Sequence, residues 1–296
     1  MTPPTLRIRD LHLSFKTYSG LIEVLHGISL HIRRGERVAL VGESGSGKSV
    51  TARIILGLLQ TLRSARVDGL VEFEGQDLEA LSWRQRHRLR GTRMSMIFQD
   101  PTSSLNPVYR IGEQFHEVLR RADAAITREA ADARAARLLE DVSIAESARV
   151  LESYPFQLSG GMNQRVMIAM ALANEPSLLI ADEPGTALDV TVQAQTLSLM
   201  RDLVIEHNTA VLFISHNLGV VREFADRVYV IYKGRIVEHG TAEALFEDPR
   251  HPYTRALMRA IPRITGGGIP EIEDTSDDYY APLVVHEGCG EPEGAR

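Results

Sequence analysis

The stretch Gly42-Glu43-Ser44-Gly45-Ser46-Gly47-Lys48-Ser49 fits the pattern G-x-x-x-x-G-K-[ST]. It follows a continuous apolar run, Val38 to Val41, which is typical of a strand buried on both faces. It precedes Ser49 to Leu59, where apolar residues recur at helical spacing. A strand, a glycine-rich turn and a helix are the context in which this pattern binds phosphate through backbone N–H groups and a helix N-terminus.

The residue types in this turn suit a nucleoside triphosphate with Mg²⁺. Lys48 is predicted to neutralise the β- and γ-phosphates, and the Ser49 hydroxyl is predicted to hold Mg²⁺. A flexible Gly/Ser turn with an incidental lysine is the alternative, and it is disfavoured because every consensus position is present in the required context. The residues predicted to bind nucleotide here are Gly42, Glu43, Ser44, Gly45, Ser46, Gly47, Lys48, Ser49 and Val50.

A second apolar strand, Leu178 to Ala181, ends in two carboxylates, Asp182 and Glu183. Ligands of a parallel sheet gather at the carboxyl ends of its strands, so these residues are expected to face the phosphate loop. Asp182 would support Mg²⁺, partly through water, and Glu183 would polarise the attacking water. The alternative is a solvated Asp-Glu-Pro turn.

Two further polar residues follow strand-like runs. His216 comes after the apolar run 210–214 and could donate a hydrogen bond to the γ-phosphate. Gln99 comes after Met94 to Phe98, and its uncharged side chain could contact both Mg²⁺ and water. Taken alone, each is equally consistent with an ordinary loop residue.

The pattern of strands and helices predicts an α/β fold of the P-loop NTPase type, with a mainly parallel core sheet. An antiparallel β part is expected at the N-terminal end, and a helical insertion at about residues 110–174. The ATPase domain is assigned to residues 1–262. An acidic, Gly-rich tail is assigned to residues 263–296, and from Gly266 onward it is expected to be poorly ordered or loosely packed.

Composition excludes several classes of protein. A net charge of −6 argues against a general nucleic-acid coating role. The arginine-rich stretch Trp83 to Arg93 is better explained as a solvated helix face than as a nucleic-acid patch. No apolar run approaches the ~20 residues that span a bilayer, so the chain is expected to be made and kept in the cytoplasm. A single cysteine, Cys289, excludes an internal disulfide.

The segment Leu158 to Arg165 narrows the class further. It forms a Ser-Gly-Gly turn entering a helix, which is a second candidate anion site. The chain has two candidate phosphate-binding helix starts but one apparent nucleotide site. Both are explained if Ser159 binds the nucleotide of a neighbouring chain. The alternative is that Ser159 is a plain N-cap.

With these motifs in this order, residues 6–262 resemble the ATP-binding subunit of an ABC transporter. The resemblance implies two subunits that sandwich two ATP molecules head to tail. It assigns Glu183 as general base and His216 as γ-phosphate switch. It also implies adenine stacking by an aromatic residue near the N-terminus, with Tyr18 as the choice and Phe15 as the alternative. The residues implied to act on the opposite subunit's nucleotide are Ser159, Gly160, Gly161 and Asp189.

A subfamily is also indicated. Phe98 to Pro107, Gly112 to Gln114, His251 to Thr254 and Met162 are similar to the dipeptide/oligopeptide and nickel importer ATPases. That resemblance implies two membrane-spanning permease subunits, a second ATPase subunit (different or identical), an extracytoplasmic solute-binding protein and no nucleic acid. It implies a peripheral location on the cytoplasmic face of the inner membrane. The alternatives are a soluble ABC-type ATPase acting on nucleic acid or ribosomes, and an ABC exporter ATPase.

Two departures from that subfamily stand out. Gly185 occupies a position where its members usually have threonine. Many members also carry a C-terminal cysteine cluster that holds an iron–sulfur centre, whereas this chain has Cys289 alone. No four-cysteine cluster can therefore form within the chain, and no iron–sulfur cofactor is expected.

Overall fold

A computed structural model describes residues 3–100, 104–185, 190–260 and 277–286, with the side chains of 190, 191 and 277 left out. The chain divides into two units: residues 1–81 with 212–296, and residues 82–211. The predictions made for Asp189, for Cys289 and for the tail at 263–276 and 287–296 concern residues outside the described ranges.

The first unit contains the predicted N-terminal antiparallel sheet. Its strands are β1 (Leu6–Thr17), β2 (Gly20–Ile32), β4 (Ala65–Phe73) and β5 (Gln76–Asp77), in the order β2-β1-β4-β5. Leu6, Ile8 and Leu13 are at most 1% exposed and polar residues alternate with them, because successive side chains of a strand point to opposite faces.

The same unit contains the strand that leads into the phosphate loop. Neighbouring strands follow the order β11 (Val284–Val285), β10 (Arg235–Thr241), β9 (Arg227–Tyr232), β3 (Arg37–Val41) and β8 (Ala210–Ser215). β8 begins two residues before residue 212, where the second stretch of this unit starts. β3 and β9 are parallel, and β9 and β10 form an antiparallel hairpin. The helices of this unit are α1 (Lys48–Ile55), α8 (Leu218–Phe224), α9 (Ala242–Glu247) and α10 (Pro252–Arg259).

The second unit pairs two parallel strands with helices. β6 (Met94–Ile97) lies beside β7 (Leu178–Asp182), with Ile97 opposite Ala181. Every regular element between residues 110 and 174 is helical, as the fold class predicted. The helices are α2 (Trp83–Leu89), α3 (Ile111–Arg120), α4 (Arg128–Asp141), α5 (Ser147–Glu152), a 3₁₀ turn (Pro155–Gln157), α6 (Gly160–Leu172) and α7 (Val190–Glu206).

The expectation of a loosely packed tail is wrong for residues 277–286. A 3₁₀ turn, Asp277–Tyr280, leads into β11, which pairs in parallel with β10 and places Val284 opposite Glu238. Tyr279 is 8% exposed and His286 is 4% exposed. Composition missed this because a few aromatic and apolar residues are enough to anchor a polar segment to an available strand edge.

His239, on β10, is fully buried and stacks on Tyr229 with ring centroids 4.9 Å apart. Neither ring nitrogen has a hydrogen-bond partner in the described part of the chain. Burial, together with the charges of Arg227 and His286, lowers the pKa of His239 to about 4, against an opposing effect of Glu238. The folded protein therefore holds this ring neutral.

We expect His239 to make stability depend on pH. Above its ordinary pKa of 6.5 the ring is neutral in both states. As pH falls from there toward 4 the unfolded chain binds a proton and the folded chain does not, so the free energy of unfolding falls, by roughly 2 kcal/mol. Urea titrations at pH 7.5 and pH 5 measure this loss. His239→Phe should reduce it, and His207→Phe, at an exposed position, should not; equal losses in both variants would contradict the assignment.

Candidate functional site

The phosphate loop lies between a fully buried strand and a helix start. Residues 38–41 of β3 are 0% exposed, and α1 begins at Lys48 with Gly47 as its N-cap at φ 112°. A Cβ atom on Gly47 would lie 2.5 Å from Leu25 Cδ2, and one on Gly42 would lie 2.1 Å from the carbonyl oxygen of Ile231. Glycine is required at both positions because no side chain fits.

Lys48 closes the loop on itself. Its Nζ donates hydrogen bonds to the carbonyl oxygens of Gly42 and Glu43, each at 2.7 Å, and the residue is 5% exposed. Ser46 Oγ is buried and has no hydrogen-bond partner among the described residues. A phosphate oxygen would compete with the two carbonyls for the lysine protons, and it would offer the Ser46 hydroxyl an acceptor.

The tip of the phosphate loop, at Gly45, is exposed. A Cβ atom on Gly45, which has φ 80°, would meet nothing within 4 Å. Ser49 and Val50 lie in the first turn of α1, where backbone N–H groups have no acceptor within the helix and partial positive charge accumulates. The predicted phosphate-binding residues thus form one turn with an accessible rim.

The second unit brings two predicted residues together. Gln99 Nε2 donates a hydrogen bond to Glu183 Oε2 at 3.0 Å. The register explains the contact, since Ile97 lies opposite Ala181 and each polar residue comes two positions later. Asp182, which ends β7, is 6% exposed. Glu183 has φ 49°, a left-handed conformation that is uncommon outside glycine.

Ser159 occupies the N-cap of α6. Its Oγ accepts a hydrogen bond from the backbone N–H of Met162 at 3.3 Å. Ser159 and Gly160 are exposed and Gly161 is half-buried. Ser159 is therefore an N-cap residue in this structure. The Ser-Gly-Gly turn is nevertheless accessible at a helix N-terminus.

The structure also describes Tyr18, Phe15 and His216, and with them Gly185. Tyr18 is fully exposed in the turn between β1 and β2, and Phe15 is half-buried on β1. His216 is exposed directly after β8, next to Asn217, whose side chain caps α8. Gly185 is buried at φ 95°, and a Cβ there would lie 3.2 Å from Gln164 Nε2, so threonine would be strained in this conformation.

Comparison with known proteins places this geometry in a family. A family model described as ABC transporter matches residues 25–186, which is more than half of the 296-residue chain. The chain belongs to the ABC transporter family. It is an ABC ATPase. The family and fold class predicted from the sequence are confirmed.

Characterised relatives share most of the length of this ABC ATPase. It is 49% identical over 267 residues to the oligopeptide transport ATP-binding protein OppD of Bacillus subtilis, covering 90% of this chain and 74% of that protein. It is 48% identical over 291 residues to the probable D,D-dipeptide transport ATP-binding protein DdpD of Escherichia coli, covering 98% and 88%. The ATP-binding cassette MJ0796, solved as a dimer in a post-hydrolysis state with ADP and Pi, superimposes with a TM-score of 0.71 at 28% identity, covering 80% and 98%.

The family resemblance extends further toward the C-terminus than the sequence predicted. A model described as oligopeptide/dipeptide transporter, C-terminal region, matches residues 237–290. The resemblance therefore continues past residue 262, the end of the range assigned to it from the sequence. The sequence His251-Pro252-Tyr253-Thr254 could have indicated this region, but it was used only to identify the subfamily. In the structure Tyr253 contacts the phosphate loop, since the Glu43 backbone N–H donates to its hydroxyl at 3.0 Å.

Proposed function

We propose that this ABC ATPase binds and hydrolyses ATP to power a membrane importer of dipeptides or oligopeptides. The observation that carries the proposal is the presence, in one chain, of an ABC-type phosphate loop and an oligopeptide/dipeptide transporter C-terminal region. Transport proteins for oligopeptides and D,D-dipeptides are among its relatives at nearly half identity.

The residues of the loop account for phosphate binding. Lys48 exchanges its two carbonyl acceptors for the β- and γ-phosphate oxygens, and the loop amides and the start of α1 bind the remaining charge. Ser49, Asp182 and Gln99 supply oxygen ligands, the type that Mg²⁺ prefers. A Mg²⁺ ion held by these residues, partly through water, would supply positive charge beside the phosphates.

Glu183 is proposed to act on the attacking water. Gln99 orients its carboxylate through the hydrogen bond at Oε2, and Oε1 can accept a proton from water as the oxygen attacks the γ-phosphorus. As that bond forms, the bond between the γ-phosphorus and the β–γ bridging oxygen breaks and ADP leaves. His216 would donate a hydrogen bond to the γ-phosphate, and Tyr18, or alternatively Phe15, would stack on adenine.

A complete site is proposed to need two ATPase subunits. Ser159, Gly160 and Gly161 form an exposed turn at a helix N-terminus that suits the γ-phosphate of an ATP held by the partner. Asp189 would sense that opposite site. The partner is a different ATPase chain or a second copy of this one, and the dimeric MJ0796 cassette supports a two-subunit assembly.

A groove in the second unit supports contact with a permease. Its volume is about 760 Å³, and its lining includes Phe98, Leu105, Tyr109 and Met167. Phe98 and Tyr109 are 44% and 52% exposed, and apolar side chains exposed on a groove are typical of a partner surface. In the described residues no helix is long and apolar enough to cross a membrane. We propose peripheral attachment to two permease subunits on the cytoplasmic face of the inner membrane, with an extracytoplasmic solute-binding protein acting through them.

We expect Tyr109→Asp to detach the chain from its permease. A charge at an exposed aromatic in the groove should lower the yield of co-purified permease subunits about tenfold, because such aromatics often dominate an interface. Purification in mild detergent, with identification of the bound proteins, measures this. Ile205→Asp, at a similarly exposed apolar position on α7, is the matched control and should keep the complex.

The same purification tests the proposed function. Two permease subunits and an ATPase partner bound to the wild-type chain would support import. A wild-type chain that came away alone, or with nucleic acid or ribosomes, would contradict it and favour the soluble ATPase class.

A further inference from the structure

Tyr253 reaches the phosphate loop from the C-terminal part of the chain. It lies in the first turn of α10 and is 0% exposed. Its hydroxyl oxygen accepts a hydrogen bond from the backbone N–H of Glu43 at 3.0 Å. Glu43 is the second residue of the loop, so a side chain 210 positions away in sequence fixes the place where the chain leaves β3.

This contact holds the peptide that also binds Lys48. The Gly42 carbonyl and the Glu43 N–H belong to one peptide unit. The carbonyl oxygen accepts from Lys48 Nζ, and the N–H donates to the Tyr253 hydroxyl. Lys48 must turn from that carbonyl toward a phosphate oxygen when a triphosphate binds. The Tyr253 hydrogen bond does not depend on Lys48, and it therefore continues to hold the start of the loop after the lysine has moved.

A buried network fixes Tyr253 in position. Its backbone N–H donates to Nδ1 of His251, the N-cap of α10, at 3.2 Å. The backbone N–H groups of Arg250 and His251 donate to the two carboxylate oxygens of Glu238, at 2.9 and 3.0 Å, and Glu238 is 0% exposed. Burial raises the pKa of Tyr253, so its hydroxyl stays neutral.

The C-terminal segment 277–286 closes over this network. The Tyr279 ring packs edge-on against Tyr253, with centroids 5.5 Å apart. His286 Nε2 lies 2.8 Å from Glu238 Oε1, and His251 Nε2 donates to the carbonyl oxygen of Ala281 at 3.3 Å. Both ends of the segment thus contact the elements that hold Tyr253.

We propose that Tyr253 is a positioning residue of the ATP site, holding the start of the phosphate loop through the Glu43 amide, and that the segment 277–286 keeps it in place. The proposal rests on the phosphate loop binding ATP, and it gives the C-terminal region a role at that loop. The C-terminal segment then influences ATP affinity without contacting ATP.

The test compares two single-hydroxyl deletions in buried tyrosines of the same unit. Tyr253→Phe removes the acceptor of the Glu43 amide, and Tyr229→Phe removes a hydroxyl that accepts from Arg227. Leaving a buried amide without a partner should weaken ATP binding by the purified chain about tenfold. It should raise KM for ATP in the assembled transporter with kcat changed less than about twofold. Tyr229→Phe should leave both constants unchanged.

Thermal unfolding separates positioning from general stability. A merely structural role for Tyr253 would lower the unfolding temperature equally with and without ATP. A positioning role also reduces the increase in unfolding temperature that ATP produces, because that increase depends on affinity. Wild-type protein that fails to bind ATP would contradict the proposed function, whereas equal ATP affinity in wild type and Tyr253→Phe would overturn this inference alone.

Neighbouring tyrosines of the C-terminal segment give a second matched pair. Tyr279 is 8% exposed and packs on Tyr253, whereas Tyr280 is 61% exposed. Tyr279→Leu should weaken ATP binding in the same direction as Tyr253→Phe, and Tyr280→Leu should not. Unchanged affinity in Tyr279→Leu would overturn the role assigned to the segment.

Discussion

Glu183→Gln is expected to bind ATP as the wild type does and to lose turnover. Glutamine has the same shape as glutamate, so it keeps a side-chain oxygen for the hydrogen bond from Gln99 Nε2. It cannot accept a proton from the attacking water, and loss of a general base typically costs 10²–10⁴-fold in rate. Steady-state ATPase rates and equilibrium ATP binding, measured on the same preparation of the assembled transporter, test both halves of the expectation.

The matched control is Glu175→Gln. Glu175 lies in the same unit and has a left-handed backbone like Glu183. Among the described residues its carboxylate makes one long contact, 4.0 Å from Arg134. The same loss of charge there should leave the ATPase rate within about twofold, as is usual for surface substitutions. Turnover at the wild-type rate in Glu183→Gln would remove Glu183 from its role as base.

Lys48→Ala is expected to abolish ATP binding at cellular concentrations. The ammonium is proposed to bind the β- and γ-phosphates, and in the structure it donates hydrogen bonds to the carbonyl oxygens of Gly42 and Glu43 at the start of the loop. Charge-assisted hydrogen bonds contribute up to about 3 kcal/mol each, so removing the side chain should weaken ATP binding at least about 100-fold. Titration of the purified chain with ATP, read by calorimetry, measures the change.

Lys233→Ala separates a specific contact from general attraction of ATP to positive charge. Lys233 is exposed in the turn between β9 and β10, and the next residue, Gly234, donates its N–H to the Ser46 carbonyl. It therefore lies near the loop without pointing a charge into it. Binding weakened equally in both variants would contradict the role given to Lys48.

The phosphate loop and the polar residues at the strand ends could be located from the sequence because local patterns mark them. Glycines at positions 42 and 47 let the chain turn tightly where any side chain would collide. Strands that are apolar throughout are buried, and the polar residues that follow them lie at the strand ends. Gln99 and Glu183 were each given a role in the water site, and the structure pairs them at 3.0 Å.

The C-terminal region was harder to predict, because its structure depends on what it packs against. An acidic, Gly-rich composition predicts weak packing, yet residues 277–286 include Tyr279, Val284 and His286, which contact Tyr253, β10 and Glu238. Three such contacts are enough to anchor ten residues. The periodicity of apolar residues along the chain cannot reveal these contacts, since their partners lie about 25 to 50 positions earlier in the chain.

The sequence by itself determined the fold class, the phosphate loop and the carboxylates at the end of β7, because short motifs set backbone conformation and continuous apolar runs mark buried strands. Only the tertiary structure decided which side chains support that loop. The hydrogen bond from Glu43 to Tyr253 joins residues 210 positions apart. Such a contact exists only once β3, β9, β10 and α10 have packed, because a single hydrogen bond does not offset the entropy of bringing distant segments together and packing of the core does.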